Sequence, residues 1–124
     1  MITIDGVTFN IGVSSLKRKA EFLDRYAERL ENGDLIRELI GVYFNYDLQL
    51  DPTSAQAAEY AALWQKLTEP VEFHEVTVWD ETGTYTFAAY FSSVGDELHR
   101  VKDALVFWRS LTVHFIAKSP ARTP

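Results

Sequence analysis

With 124 residues, 47% hydrophobic and 24% charged, the chain is long enough for one domain with a real core and too apolar for extended disorder. A net charge of −6 argues against tight nucleic-acid binding, which relies on clustered Lys and Arg; the one basic cluster, Lys17-Arg18-Lys19, is short and flanked by apolar residues. The absence of cysteine excludes disulfides and thiolate metal sites, and no apolar run approaches the ~20 residues that span a bilayer. The start lacks the basic-then-apolar layout of a signal peptide, so a soluble chain made in the cytoplasm is expected, with no membrane partner.

The first ten residues alternate apolar and polar on either side of Asp5-Gly6, a hairpin signal because both positions tolerate positive φ. Ser14–Asn32 is ambiguous. Leu16, Ala20, Leu23, Ala27 and Leu30 fall on a helical stripe, yet Leu16, Arg18, Ala20 and Phe22 also alternate with charged residues as in a strand. Asn32-Gly33 suits a hairpin turn and a helix C-cap equally. Leu35–Leu50 reads as a long strand, with Phe44, Tyr46, Leu48 and Leu50 on one face and Gly41 marking a bulge or bend.

Asp51-Pro52-Thr53-Ser54 opens a helix over 54–67, whose stripe of Tyr60, Leu63, Trp64 and Leu67 faces the sheet; Pro70 forbids continuation. Val71–Val78 and Thr84–Ser92 pair as a hairpin around Asp80–Gly83. A turn is expected at Ser93–Asp96 and a short strand at Glu97–Val101. In Leu105–Ala117 the alternation changes phase near Trp108, as a bulge would produce. The domain is expected to occupy 1–118, with 119–124, which carries two prolines, as a flexible tail. The fold class is therefore mainly β with one packed helix (α+β), an antiparallel sandwich or barrel.

Little in this pattern supports catalysis. His74, His99 and His114 show no HxH, HxxxH or HExxH spacing and read as surface or edge-strand residues, so neither metal nor cofactor is expected. Asp80-Glu81 and Asp96-Glu97 are turn carboxylates that point apart, unlike a glycosidase pair at ~5–10 Å. GxSxG, GxGxxG and Walker-type loops are missing. No enzyme is expected. Aromatics make up 14% of the chain and fall on both faces of Val42–Tyr46 and Tyr85–Phe91. The second face suits either a ligand cavity near Tyr43, Tyr85 and Tyr90 or a subunit interface.

Four stretches together resemble small tail proteins of prophages from Gram-positive bacteria: the opening Met-Ile-Thr-Ile-Asp-Gly, Arg37-Glu-Leu-Ile-Gly-Val-Tyr-Phe-Asn-Tyr46, Glu59-Tyr-Ala-Ala-Leu-Trp64 with Leu67–Val71, and Leu111–Pro120. The likeness spans nearly the whole chain and rests on the order of these pieces. It implies a sandwich or barrel of the tail tube or distal-tail type that assembles into rings, commonly hexameric, with itself and with other tail proteins in the virion. No catalytic residue is implied. In similar proteins a strand enters a loop at Ser14–Asn32. The reading taken here is a strand over Ser14–Leu23 and an irregular or partly helical loop over Asp24–Asn32, with a helix across both as the alternative. That loop is expected to reach a neighbouring subunit through Tyr26, Ala27 and Leu30, with Tyr43 in the same interface. A ligand-binding barrel, monomeric or dimeric, is the competing reading.

Overall fold

Asp5 and Gly6 both have positive φ, 52° and 79°, and their two-residue turn joins β1 (Ile2–Ile4) to β2 (Val7–Phe9). The structure is a computed structural model and describes residues 2–124. β3 (Val13–Arg29) and β4 (Leu35–Leu50) form one long antiparallel hairpin, paired from Val13↔Leu50 to Arg29↔Leu35.

This hairpin corrects the expected loop or helix at Asp24–Asn32. The strand runs through to Arg29, and only Leu30–Asp34 turns, with Gly33 at φ 92° and Gly33 N–H donating to the Leu30 carbonyl at 2.9 Å. Cross-strand pairing outweighs local helix propensity. Arg37 binds Asp24 and lies over the Phe22 ring at 5.5 Å, while Arg25 meets Glu38 at 3.2 Å.

A 3-10 turn, Ser54–Gln56, runs into α1 (Ala57–Leu67). Gln56 fastens its start twice: its side chain accepts from Thr53 N–H at 2.9 Å and donates to the Asn10 carbonyl at 2.7 Å. At the other end Thr68 donates its hydroxyl to the Trp64 carbonyl, two residues before Pro70. Tyr60, Leu63 and Leu67 are buried as expected, but Trp64 is only half-buried at the edge of the core.

The remaining strands are β5 (His74–Asp80), β6 (Gly83–Lys102) and β7 (Leu105–Ala117), giving a seven-stranded antiparallel sheet of order β2-β1-β5-β6-β7-β4-β3. The turn expected at Ser93–Asp96 is absent; β6 continues through it, and register shifts at Phe91/Ser93 and Gly95/Glu97 absorb the irregularity. β6 and β7 join through Asp103-Ala104, both at positive φ. The phase change near Trp108 is a bulge at Ser110, φ 55°, whose N–H donates to Asp51 at 2.8 Å.

Leu48, Leu50, Val76, Val78, Leu111 and Val113 from the sheet bury against Ile2, Ile4 and α1. The sheet curls strongly: Arg18 on β3 reaches Glu81 at the β5–β6 turn at 2.8 Å, and the Tyr46 and Phe87 rings approach to 5.3 Å. It does not close, because β2 and β3 end the sheet without pairing to each other. The expected sandwich or closed barrel is thus a single open, curled sheet.

Residues 119–124, expected as a flexible tail, are anchored instead. Val42 donates to the Arg122 carbonyl at 2.9 Å and accepts from Ala121 N–H at 2.8 Å. Gly41 makes the approach possible, since a Cβ there would lie 2.6 Å from the Pro120 Cβ.

Leu63→Ala is expected to lower unfolding free energy by about 2–5 kcal/mol in urea titration, and Trp64→Ala by less, since the indole keeps one side in water. Gly41→Ala is expected to release the C-terminal segment, read as faster hydrogen exchange at the Val42 and Ala121 amides with the core amides unchanged.

Candidate functional site

The ladder between β4 and β7 runs only from Tyr46↔Phe115 to Leu50↔Leu111. Beyond it the hairpins part, with the C-terminal segment following β4 only as far as Val42, and the antiparallel register sends the two overhangs to opposite ends of the sheet. The β3–β4 arm extends past Ala117; the β6–β7 arm extends past Leu50.

On the β3–β4 arm, Ala20–Arg29 alone spans about 33 Å at ~3.3 Å per residue. Only Gly41, beneath Pro120, is buried on this arm, whereas Phe22 is 60% exposed, Leu35 54% and Tyr26 48%, with Leu23, Leu30, Ile36 and Ile40 also open to solvent. Such a density of unburied apolar side chains makes the arm a candidate contact surface. The structure puts Tyr26, Ala27 and Leu30 on this arm and Tyr43 half-buried nearer its base, opposite Glu21. Tyr26 and Ala27 are consecutive in a strand, so they face opposite sides rather than forming the single stripe that a helical spacing implies. Phe22, Leu35 and Ile36 are the residues that sequence reasoning missed; the alternation across Ala20–Phe22 signalled the first, and nothing local signalled the exposure of the other two.

The β6–β7 arm leans over α1 and encloses a groove of about 880 Å³. Tyr60, Trp64 and Gln65 form one wall, and Asp96, His99, Arg100, Phe107, Trp108 and Arg109 the other. Tyr60 donates its hydroxyl to Asp96, tying the walls together; burial and then the Asp96 carboxylate push the phenol pKa well up. Arg100 stacks over Phe107 at 4.8 Å, and Arg109 pairs with Glu97 at 3.1 Å. The aromatic-lined space lies here, lined by none of Tyr43, Tyr85 and Tyr90.

Of the surface or edge-strand positions expected for His74 the second fits: it is buried, but at the start of β5, which pairs with β1 only at Val76 and Thr77. Its Nδ1 meets Asp5 Oδ2 at 2.7 Å and its ring stacks on Phe91 at 4.7 Å. Among the described residues no hydroxyl hydrogen-bonds its other nitrogen, so the pair lacks the nucleophile of a hydrolytic triad. Asp5, Glu69 and His74 could each offer a ligand atom to a cation, but Lys66 Nζ already stands 3.6 Å from Asp5 and 2.9 Å from Glu69. The ammonium balances those carboxylates where a metal ion would. His114 pairs with Asp47 on the exposed surface, and His99 lies in the groove wall; neither joins His74.

Burial works to raise the Asp5 carboxyl, but hydrogen bonds from His74 and the Glu75 N–H, with the electrostatic pull of His74 and Lys66, hold it below the ordinary value. A depressed folded-state pKa stabilises above the unfolded value and is lost as pH falls through the folded one. Melting temperature is therefore expected to fall below about pH 4, and Asp5→Asn, which also tolerates the positive φ, is expected to flatten that fall. No helix is long and apolar enough to cross a membrane. No family model, curated protein or solved structure matches the chain.

Proposed function

We propose that the chain is a structural subunit of a phage or prophage tail, closing with copies of itself into rings of the tail tube or distal tail. The observation that carries this reading is a pair of free strand edges. β3 has no partner on its outer side, and β6 has none on the β5 side beyond Ala89, among the described residues. Between these edges lie β6, β7, β4 and β3, alternating in direction. With an even number of antiparallel strands, β3 of one copy runs antiparallel to β6 of the next. Rotation about one axis therefore continues the ladder from copy to copy, and a heterologous contact that closes in this way is a ring.

The unburied arms support the same reading, as does the resemblance of Arg37–Tyr46 and Leu111–Pro120 to tail proteins. Charges on β3, including Lys17, Lys19, Glu21 and Arg25, oppose indiscriminate edge pairing, so only a matching edge is accepted. The groove beside α1 is what favours the ligand-binding alternative, and aromatic ligands or sugars at Trp64 and Trp108 would be its signature.

Successive N–H groups of a strand point to opposite sides, so one of Lys19→Pro and Ala20→Pro spares the β4 ladder while blocking the outer edge. In sedimentation velocity, wild-type chain is expected to form discrete rings with rising concentration, and the proline variant that retains its melting transition to remain monomeric. Rings from that variant would remove the edge contact. Absence of the chain from the tails of purified virions, probed with antibody, would remove the tail assignment.

A further inference from the structure

The groove between α1 and the β6–β7 arm has the composition of an interface hot spot. Tyr60, Trp64, Phe107 and Trp108 line it with Arg100 and Arg109, and Trp, Tyr and Arg are the residues that carry most binding energy where proteins meet. The free chain leaves it open. It lies past Leu50, at the end of the sheet opposite to the tip of the β3–β4 arm.

The groove's Asp96 is taken up by Tyr60 and its Arg109 by Glu97, which leaves Arg100 as the cation that the tip can meet. Leu30, Leu35 and Ile36 flank the turn and are exposed; Glu28, Glu31 and Asp34 surround them, and the one cation among them, Arg29, donates to the Gly33 carbonyl at 2.7 Å. Among the described residues Glu28 and Glu31 have no cationic partner, and Arg100 has no acidic one. A two-stranded tip with a few apolar side chains fits a volume of about 880 Å³, whereas a whole domain does not. Because tip and groove stand at opposite ends, one chain cannot join its own two halves.

We infer that the Leu30–Ile36 tip of one copy docks in the α1/β6–β7 groove of the next copy along the strand direction, its acidic residues against Arg100. The inference rests on the self-assembly reading above and deepens it, since this contact is distinct from the β3–β6 edge. It runs head to tail without closing, so it stacks copies axially, where the edge contact closes them laterally. The two contacts together would make a tube.

The chain has no cysteine, so full-length variants with single cysteines report the contact cleanly. Ile36→Cys and Gln65→Cys, purified separately, mixed and oxidised, are expected to cross-link at least ~tenfold more than Ile36→Cys with Thr86→Cys, which lies away from the groove. Adding Arg100→Glu to the groove variant is expected to abolish that excess, and adding Glu31→Arg and Asp34→Arg to the tip variant to restore it. Cross-linking no greater than the Thr86 control, or an excess indifferent to Arg100→Glu, would overturn the docking. Rings of wild-type chain with no tip-to-groove cross-link would leave the lateral reading standing while this one falls. Cross-linked strings without rings would do the reverse.

Discussion

Two long hairpins meet through a short ladder, Tyr46–Leu50 against Leu111–Phe115, and almost everything else in the molecule depends on that offset. Leu48, Leu50, Leu111, Val113 and Phe115 in it are essentially without solvent exposure, so the joint is also the centre of the core. A one-residue slip would turn these side chains outward. The register is consequently fixed by burial, and with the register fixed the overhangs must leave in opposite directions. The two arms are thus a consequence of where the core lies.

Beyond the joint the chain follows a different rule. The joint is covered by β1, β2 and α1; the β3–β4 arm meets the C-terminal segment only at Gly41 and Val42 and is otherwise held by strand pairing, while the β6–β7 arm has one face turned to α1. Ion pairs such as Arg25–Glu38 and the Arg37–Asp24–Phe22 cluster steady the β3–β4 arm, but exposed pairs of this kind contribute little each. A hairpin so extended is stable because its base is built into a sheet, and its apolar side chains gain burial only from another molecule.

The strand limits of Leu35–Leu50 and Leu105–Ala117 and the helix over 54–67 were legible because alternation, Pro70 and the polar start of the helix all agree locally. Ser14–Leu23 is a strand as expected, but Asp24–Asn32 was not legible. Its apolar spacing fits a helix, and what decides against one is a partner strand that begins only at Leu35. The break expected at Ser93–Asp96 failed for a related reason: polar residues signal a turn only when the chain then reverses, and here bulges carry the strand through. The candidate site was legible only in part. Tyr26 and Leu30 were visible as apolar residues in a charged setting, but the groove joins α1 to a distant hairpin and no local pattern reports it.

The bulge at Ser110 sets the mechanics of that hairpin. Asp51 accepts the Ser110 N–H and lies three residues before the turn that starts the helix. One carboxylate thus fastens both walls of the groove at their common root, as a pivot fastens the jaws of a pair of tongs. A pull on the Asp103-Ala104 tip acts through a lever of about 23 Å, at ~3.3 Å per residue, and its load arrives at this pivot. The jaws cannot open under such a load until the Tyr60–Asp96 hydrogen bond between them gives way.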